Sequence, residues 1–191
     1  DNERGERKKI STFIKQKLEI ESAIESGKVS FTAFLTDISQ TFASNWTTEE
    51  VYGRNDPIAT FSGTKRTISL AWDCPSISEE EAKENLKKCA TLINMAYPSY
   101  VKSGVADKMI IAKNPLVKVK FENLVCDSKG QGLLGWMDSV SWKPALDMGM
   151  FNSSSGNLYP KVISLSFNLN VLHQEHLGQE AASPSKFPFK I

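Results

Sequence analysis

Ile163-Ser164-Leu165-Ser166-Phe167-Asn168-Leu169-Asn170-Val171 alternates apolar and polar residues without a break. Successive side chains of a β-strand point to opposite faces, so this period of two predicts a half-buried antiparallel strand. Val117, Val119 and Phe121 alternate with Lys118, Lys120 and Glu122 in the same way. Leu134, Trp136, Val140 and Trp142 alternate with Gly135, Met137, Ser139 and Ser141. Residues 29–35, with Phe31 and Leu35 on one side, and residues 65–72, burying Ile68, Leu70 and Trp72, extend the pattern. Core packing is the expectation for Trp72, Trp136 and Trp142 alike.

A helix interrupts these strands. Ser78 stands as N-cap with Glu81 three residues on, a capping box, and Glu79 and Glu80 lie at the positive end of the helix dipole. The apolar positions Ala82, Leu86, Cys89, Ala90, Ile93 and Ala96 predict one buried face over about 79–96, and Pro98 ends the helix. Glu79/Lys83 and Glu84/Lys88 are favourable i,i+4 pairs, whereas Glu80/Glu84 is unfavourable. One helix beside antiparallel strands predicts an α+β, mainly β fold: a decorated sandwich.

The 191 residues suit one domain with arms. A core of about 150 residues buries roughly 68–70% of its unfolded surface and folds without staples. Residues 1–28 place Ile10, Phe13, Ile14, Leu18 and Ile24 at approximate helical spacing before Ser26-Gly27, which predicts an N-terminal helical arm. Residues 29–176 form the sandwich. Residues 177–191, with Pro184 and Pro188, read as an extended tail in which Phe187 and Phe189 are possible anchors. Residues 101–114 read as irregular, and 143–160 as a long connection of the kind that binds or reaches a neighbour.

A net charge of +1 provides no global field toward nucleic acid or an anionic membrane. The basic residues near the start are interleaved with acids, as on a solvated helix. Cys74, Cys89 and Cys126 are odd in number and far apart, offering neither a disulfide framework nor a zinc pattern; reduced thiols in a cytosolic setting are expected. No run approaches the roughly 18 apolar residues of a membrane span, and no signal-peptide pattern is present. The first residue is Asp1 instead of Met, so the expectation is that residues precede it.

Gly130-Gln131-Gly132-Leu133-Leu134-Gly135 spells the G-x-G-x-x-G string of dinucleotide sites. That chemistry needs a helix to start there, so that backbone amides meet the pyrophosphate. Here strand alternation continues to Pro144, and Asp127-Ser128-Lys129-Gly130 supplies turn residues, so the string reads as a hairpin connection. His173 and His176 are too few to form a metal site by themselves, and neither lies in a nucleophile motif. No catalytic, cofactor-binding or metal-ligating residue is assigned, and no enzymatic activity or cofactor is expected.

Two features point toward assembly. Trp46 sits in what reads as a polar loop with Tyr52 following, a composition suggestive of an interface. Ser164, Ser166, Asn168 and Asn170 give the last strand a short, uncharged polar face without the Lys, Glu or Pro that usually guards a sheet edge. Its edge is either paired within the subunit or completed by a neighbour.

In order and punctuation the chain resembles the tail-tube-like proteins of contractile-tailed bacteriophages and related injection machines, especially the baseplate proteins that start the tube. The similar residues are Val51-Tyr52-Gly53-Arg54-Asn55-Asp56-Pro57-Ile58, then Arg66-Thr67-Ile68-Ser69-Leu70 leading into the helix before Tyr97-Pro98. Asn114-Pro115-Leu116, Gly132-Leu133-Leu134-Gly135 and the strand after Tyr159-Pro160-Lys161 continue the likeness over roughly residues 29–175. The resemblance implies an antiparallel sandwich of tail-tube type with one flanking helix, six copies of which form a ring around a channel. Its implied partners are tail-tube and baseplate hub proteins, with DNA only as cargo in the channel and no membrane insertion. The implied location is the virion tail, assembled in the host cytoplasm. Subunit-interface candidates are then Trp46, Tyr52, Arg54, Asp56, Phe187 and Phe189, and Ser164, Ser166, Asn168 and Asn170 face the lumen or an inter-subunit sheet. Some baseplate relatives carry a peptidoglycan-binding module at the C-terminus, and nothing after His176 is long enough to be one.

The expectation is a structural, non-enzymatic protein at the tube–baseplate junction. The alternatives are a repeating tube subunit and, from other classes, a monomeric β-barrel that binds a small ligand or a secreted lectin-like sandwich.

Overall fold

The structure, a computed structural model, describes residues 17–24, 27–32, 34–102, 109–152, 156–174, 177–180 and 183–186. Its strands are β1 (Lys17–Ser22), β2 (Lys28–Thr32), β3 (Phe34–Glu49), β4 (Ile58–Pro75), β5 (Ser99–Lys102), β6 (Met109–Lys113) and β7 (Val117–Phe121). They continue with β8 (Leu133–Pro144), β9 (Met150–Asn152), β10 (Leu158–Pro160), β11 (Val162–Val171), β12 (Gly178–Glu180) and β13 (Ser183–Lys186). The helix α1 spans Glu79–Asn94.

Seven strands form one antiparallel sheet in the order β2-β1-β7-β8-β11-β4-β3. Its inner face is apolar: Leu18, Ile20, Phe31, Ile68, Leu70, Trp72, Val117, Val119, Ile163, Leu165, Phe167 and Leu169 are all buried. The sheet curls over this face, because the Phe31 ring on β2 lies 5.5 Å from Trp72 on β4. Phe167 meets the same indole edge-on at 5.6 Å. Ala82, Cys89 and Leu92 of α1 and Met95 at its C-cap are buried too, and Cys89, Leu92 and Met95 belong to the same core cluster. The result is a mainly β, sandwich-like body with one flanking helix.

The helix starts where the capping signal placed it. The Glu81 amide donates to Ser78 Oγ (3.2 Å), and Glu81 Oε2 accepts from the Ile77 amide (2.7 Å), one residue before the cap. Lys83 pairs with Glu79 (2.7 Å) and Lys88 with Glu84 (2.9 Å). Ala90, expected on the buried face, is exposed, and Leu92 takes its place.

Four expectations need correction. The N-terminal helical arm is not helical over Lys17–Ser22, which is the second strand of the sheet, paired with β2 and β7. Leu18 and Ile20 point inward between Phe31, Val29, Phe121 and Val119, so cross-strand packing overrides the helical spacing. Residues 1–16 lie outside the described residues. Residues 101–114 are not all irregular, since β5 and β6 pair with each other. Trp46 lies on β3, not in a loop.

The fourth correction concerns β8, where Ser139 has a φ of +54°. Opposite β11, the register moves from Ser166↔Ser141 to Asn168↔Asp138, a bulge that reverses which side chains face inward. Before it Leu133, Gly135 and Met137 face the core; after it Val140 does. Trp136, paired with Asn170, therefore lies on the outer face and is 43% exposed. Trp142, paired with Leu165, stays on the inner side but at its margin, 40% exposed.

The G-x-G-x-x-G string leads into β8 with no helix at its end. Asp127 Oδ1 accepts from the Lys129 and Gln131 amides (3.0 and 2.6 Å), and the Asp127 carbonyl accepts from the Gly130 amide, so the glycine sits at φ +78° in a closed turn. The long connection after β8 folds into a 3-10 turn over Leu146–Met148 and the β9–β10 hairpin. It lies beside α1, with Lys83 Nζ 5.2 Å from the Tyr159 ring centroid. In the tail, β12 and β13 pair with each other.

Candidate assembly surfaces

β11 is not an edge. β8 pairs along one side of it and β4 along the other, so the lack of guarding charges has an internal explanation. Its polar side chains are tied to β4. Ser164 Oγ donates to Asp73 Oδ1 (2.6 Å), Ser69 Oγ donates to Asn168 Oδ1 (2.7 Å), and Thr67 Oγ1 donates to Asn170 Oδ1 (3.3 Å). Ser166 lies opposite Ala71. Ser164, Ser166, Asn168 and Asn170 are half-buried and form one ladder on the outer face. β3 continues that face with Ser39 and Thr41, opposite Ser69 and Thr67. At the other end of the sheet, Glu19 and Glu21 lie opposite Lys120 and Lys118. The outer face thus carries an uncharged ladder with Asp37, Asp73, Asp138 and Lys143 around it on one half, and rows of lysine opposite glutamate on the other.

The unguarded edge belongs to β3. This 16-residue strand pairs with β4 on one side, and among the described residues no strand pairs with its other side. Between Asp37 and Glu49 it carries no charge. The opposite edge, β2, is five residues long and begins with Lys28. A long edge without charge is a template for another strand.

Beyond Thr67, the last β4 residue opposite β11, β3 and β4 pair only with each other. Eight further residues of β3 and nine of β4, at about 3.3 Å apiece, carry this hairpin arm roughly 26 Å past the sheet. Its root is fixed by Arg66, which is 1% exposed. Nε and Nη2 of Arg66 donate to Gln40 Oε1 (3.2 and 2.6 Å), and Gln40 Nε2 donates to the Leu124 carbonyl (2.9 Å). The guanidinium lies over the Phe42 ring at 5.3 Å. Burial pushes its pKa below the ordinary arginine value.

On the arm, Trp46 packs edge-on against Phe61 at 5.2 Å and remains 60% exposed. Residues 51–57 form the tip, where the Arg54 amide donates to the Val51 carbonyl and Gly53 has φ +86°. Tyr52, Arg54 and Asp56 are therefore brought together at the tip, with Trp46 on the strand below them. Phe187 and Phe189 lie outside the described residues.

The sequence reading missed Phe61, the length of β3 and the ribbon β5–β6. In that ribbon Tyr100, Val101, Met109, Ile110 and Ile111 are each more than half exposed. The contiguous Met109-Ile110-Ile111 was the available signal, since β-branched residues favour strands.

A small cavity at the sheet end is lined by Arg66, Leu133, His173 and Gln174, among others. Burial, and then the Arg66 charge, push the His173 pKa below its ordinary value. His176 lies outside the described residues. Among the described residues no group of three His, Cys, Asp or Glu is placed to hold a metal ion, and no helix is long and apolar enough to cross a membrane.

No protein-family model matches the chain, and no curated protein matches it.

Proposed function

We propose that this chain is a structural subunit of a phage-type contractile tail, assembling into a ring where tube meets baseplate. The observation that supports it best is the β3 edge: long, without charge between Asp37 and Glu49, and bordering the Ser, Thr and Asn ladder of the outer face. Joining that edge to a strand of a neighbouring copy satisfies its backbone groups and prolongs the sheet from one subunit to the next. The Ser, Thr and Asn ladder then lines the shared sheet with Asp37, Asp73 and Asp138 beside Lys143, so DNA passes as cargo instead of being held by a row of phosphate contacts. The arm reaches neighbours beyond that sheet, and the flat end of the ring templates the first tube layer. The resemblance over residues 29–175 is the reason for choosing a tail over other ring-forming assemblies.

The function requires no catalysis, cofactor or metal. Partners are further copies, six in the resembling rings, together with tube and hub proteins in the virion tail. A repeating tube subunit is the alternative within this class. Negative-stain images and native mass of the purified chain, alone and with candidate tube protein, test the reading. Rings that seed tube growth support it; a chain that stays monomeric in both conditions contradicts it.

A further inference from the structure

β2 runs into β3 with only Ala33 between them. Phe31 before that junction is buried, and Leu35 after it packs against the same core, so both strands turn one face inward. In the sheet β1 flanks β2 and β4 flanks β3, at the two ends of the strand order. A sheet that curls until its ends meet in one joined strand places those two neighbours on opposite sides of it. The free side of β3 is therefore the side on which β1 lies. Lys17, the first residue of β1, pairs with Thr32, the last of β2. Continuing β1 backward from Lys17 leads along the free edge of β3, antiparallel to it.

Residues 10–16 lie outside the described residues, but their sequence keeps the phase of β1. Leu18 and Ile20 point inward, and Ile10, Thr12 and Ile14 fall on the same alternate positions. Ile10-Ser11-Thr12-Phe13-Ile14 also has the β-branched and aromatic composition that favours strands. Counted back from the Lys17↔Thr32 pair, Ile14 comes opposite Leu35. With the β3 bulge between Leu35 and Asp37, Ile10 comes opposite Ser39 or Gln40. Leu35 and Ile38, the inward apolar residues of that stretch, are only partly buried, so the core is half-covered where Ile10 and Ile14 arrive. We propose that in the unassembled chain residues 10–16 add to the β3 edge of their own chain as a further strand, guarding it from Phe34 to about Gln40 until a neighbouring copy takes their place. The contact stands on the register and the half-covered core, while its displacement rests on the ring reading. Phe42–Glu49 lies beyond the reach of this strand and gives a neighbour its first hold.

Amide hydrogen exchange of the full chain, followed residue by residue by NMR where the chain is monomeric, tests the contact. Successive amides of a strand point to opposite sides, so Ser11→Pro with Thr12→Pro removes one that faces β3 whichever way the strand is turned. Asn2→Pro with Glu3→Pro is the control, and circular dichroism checks the fold of each chain. In the wild type and the control, the amides of Leu35–Gln40 that do not bond β4 exchange about ten-fold or more slower than in the Ser11/Thr12 variant. Native mass spectrometry then shows that variant associating about ten-fold more tightly, because its edge is free. Equal exchange in wild type and variant overturns the contact, whether or not rings form. Protection that appears only as concentration rises assigns the strand to another copy and overturns it too. Slow exchange abolished by the prolines, in chains that never associate, keeps the contact and removes the ring. Slow exchange abolished by the prolines, with rings no tighter than before, overturns the guarding role. So does a ring that persists at every dilution, since its edge then has no unassembled state to guard.

Discussion

The Phe31 ring sits 5.5 Å from the Trp72 indole, although their strands stand first and sixth in the order of the sheet. Flat strands about 4.8 Å apart would hold them roughly 24 Å from each other, so this contact measures how far the sheet curls. Trp72 also meets Phe167, which makes its indole the hub joining the two ends of the sheet. Phe31→Ala should cost about 3–5 kcal/mol, the range for deleting a buried aromatic, read as a lower urea midpoint. A loss below about 1 kcal/mol would mean that the curl is held elsewhere.

Gly135 faces Val171, and a Cβ there would lie 2.3 Å from the Asn170 carbonyl oxygen, a backbone atom. Gly135→Ala must part β8 from β11, with an expected cost of about 1–3 kcal/mol. Gly132→Ala is the control, because its nearest contact is 3.4 Å to the Lys118 side chain. Thermal melts of the two variants should differ clearly, with Gly135→Ala the lower; equal melting points would contradict the close approach.

Cys74 and Cys89 are buried in the core, and burial pushes their thiols up to about 12 and about 11, Cys74 being raised further by the proximity of Cys89. In the unfolded chain both return toward the ordinary value of 9.0. The folded state therefore holds its protons longer. The stability contributed by these neutral thiols is intact below pH 9 and falls as pH climbs through the raised values. Denaturant titrations at pH 8 and pH 10 should show the loss, and Cys74→Ala with Cys89→Ala should flatten it. At pH 8 a thiol reagent should label neither cysteine until the protein unfolds.

Ser78→Ala removes the acceptor for the Glu81 amide and should cost about 1 kcal/mol. Glu81→Ala removes the acceptor for the Ile77 amide, and a double-mutant cycle should show the two caps coupled. Independent, additive losses would contradict a shared cap.

Trp46→Ala and Phe61→Ala lie on the arm, away from the core cluster. Each should change folding stability by less than about 1 kcal/mol while weakening self-association. A large drop in melting temperature with intact assembly would reverse these roles.

What could be read in the sequence follows from what each residue buries. β7 and β11 alternate cleanly because each has one face in the core and one outside. The capping box and the Asp127 turn are local, so neighbouring residues suffice to specify them. β1 is not legible locally, because Ile10, Phe13, Ile14 and Leu18 match a helical stripe while the β2 and β7 partners that select the strand lie elsewhere in the chain. The bulge at Ser139 splits β8 into two registers, and a single alternation drawn through it places Trp136 on the wrong face. The outer part of β3 is strand with neither face in the core, so Ser44 to Thr48 show no apolar period. The polar face of β11 was identified correctly, but its freedom from charge belongs to a central strand; the edge that lacks a guard is β3.

The central claim is that this edge joins copies of the chain into a ring. Native mass spectrometry of the purified protein across a concentration series, with images of the same samples, tests it most directly. The account predicts a closed oligomer, with six copies expected, that Thr41→Pro or Ala43→Pro on the β3 edge abolishes while circular dichroism still reports a folded chain. A monomer at every concentration, or a ring indifferent to proline in β3, would contradict it.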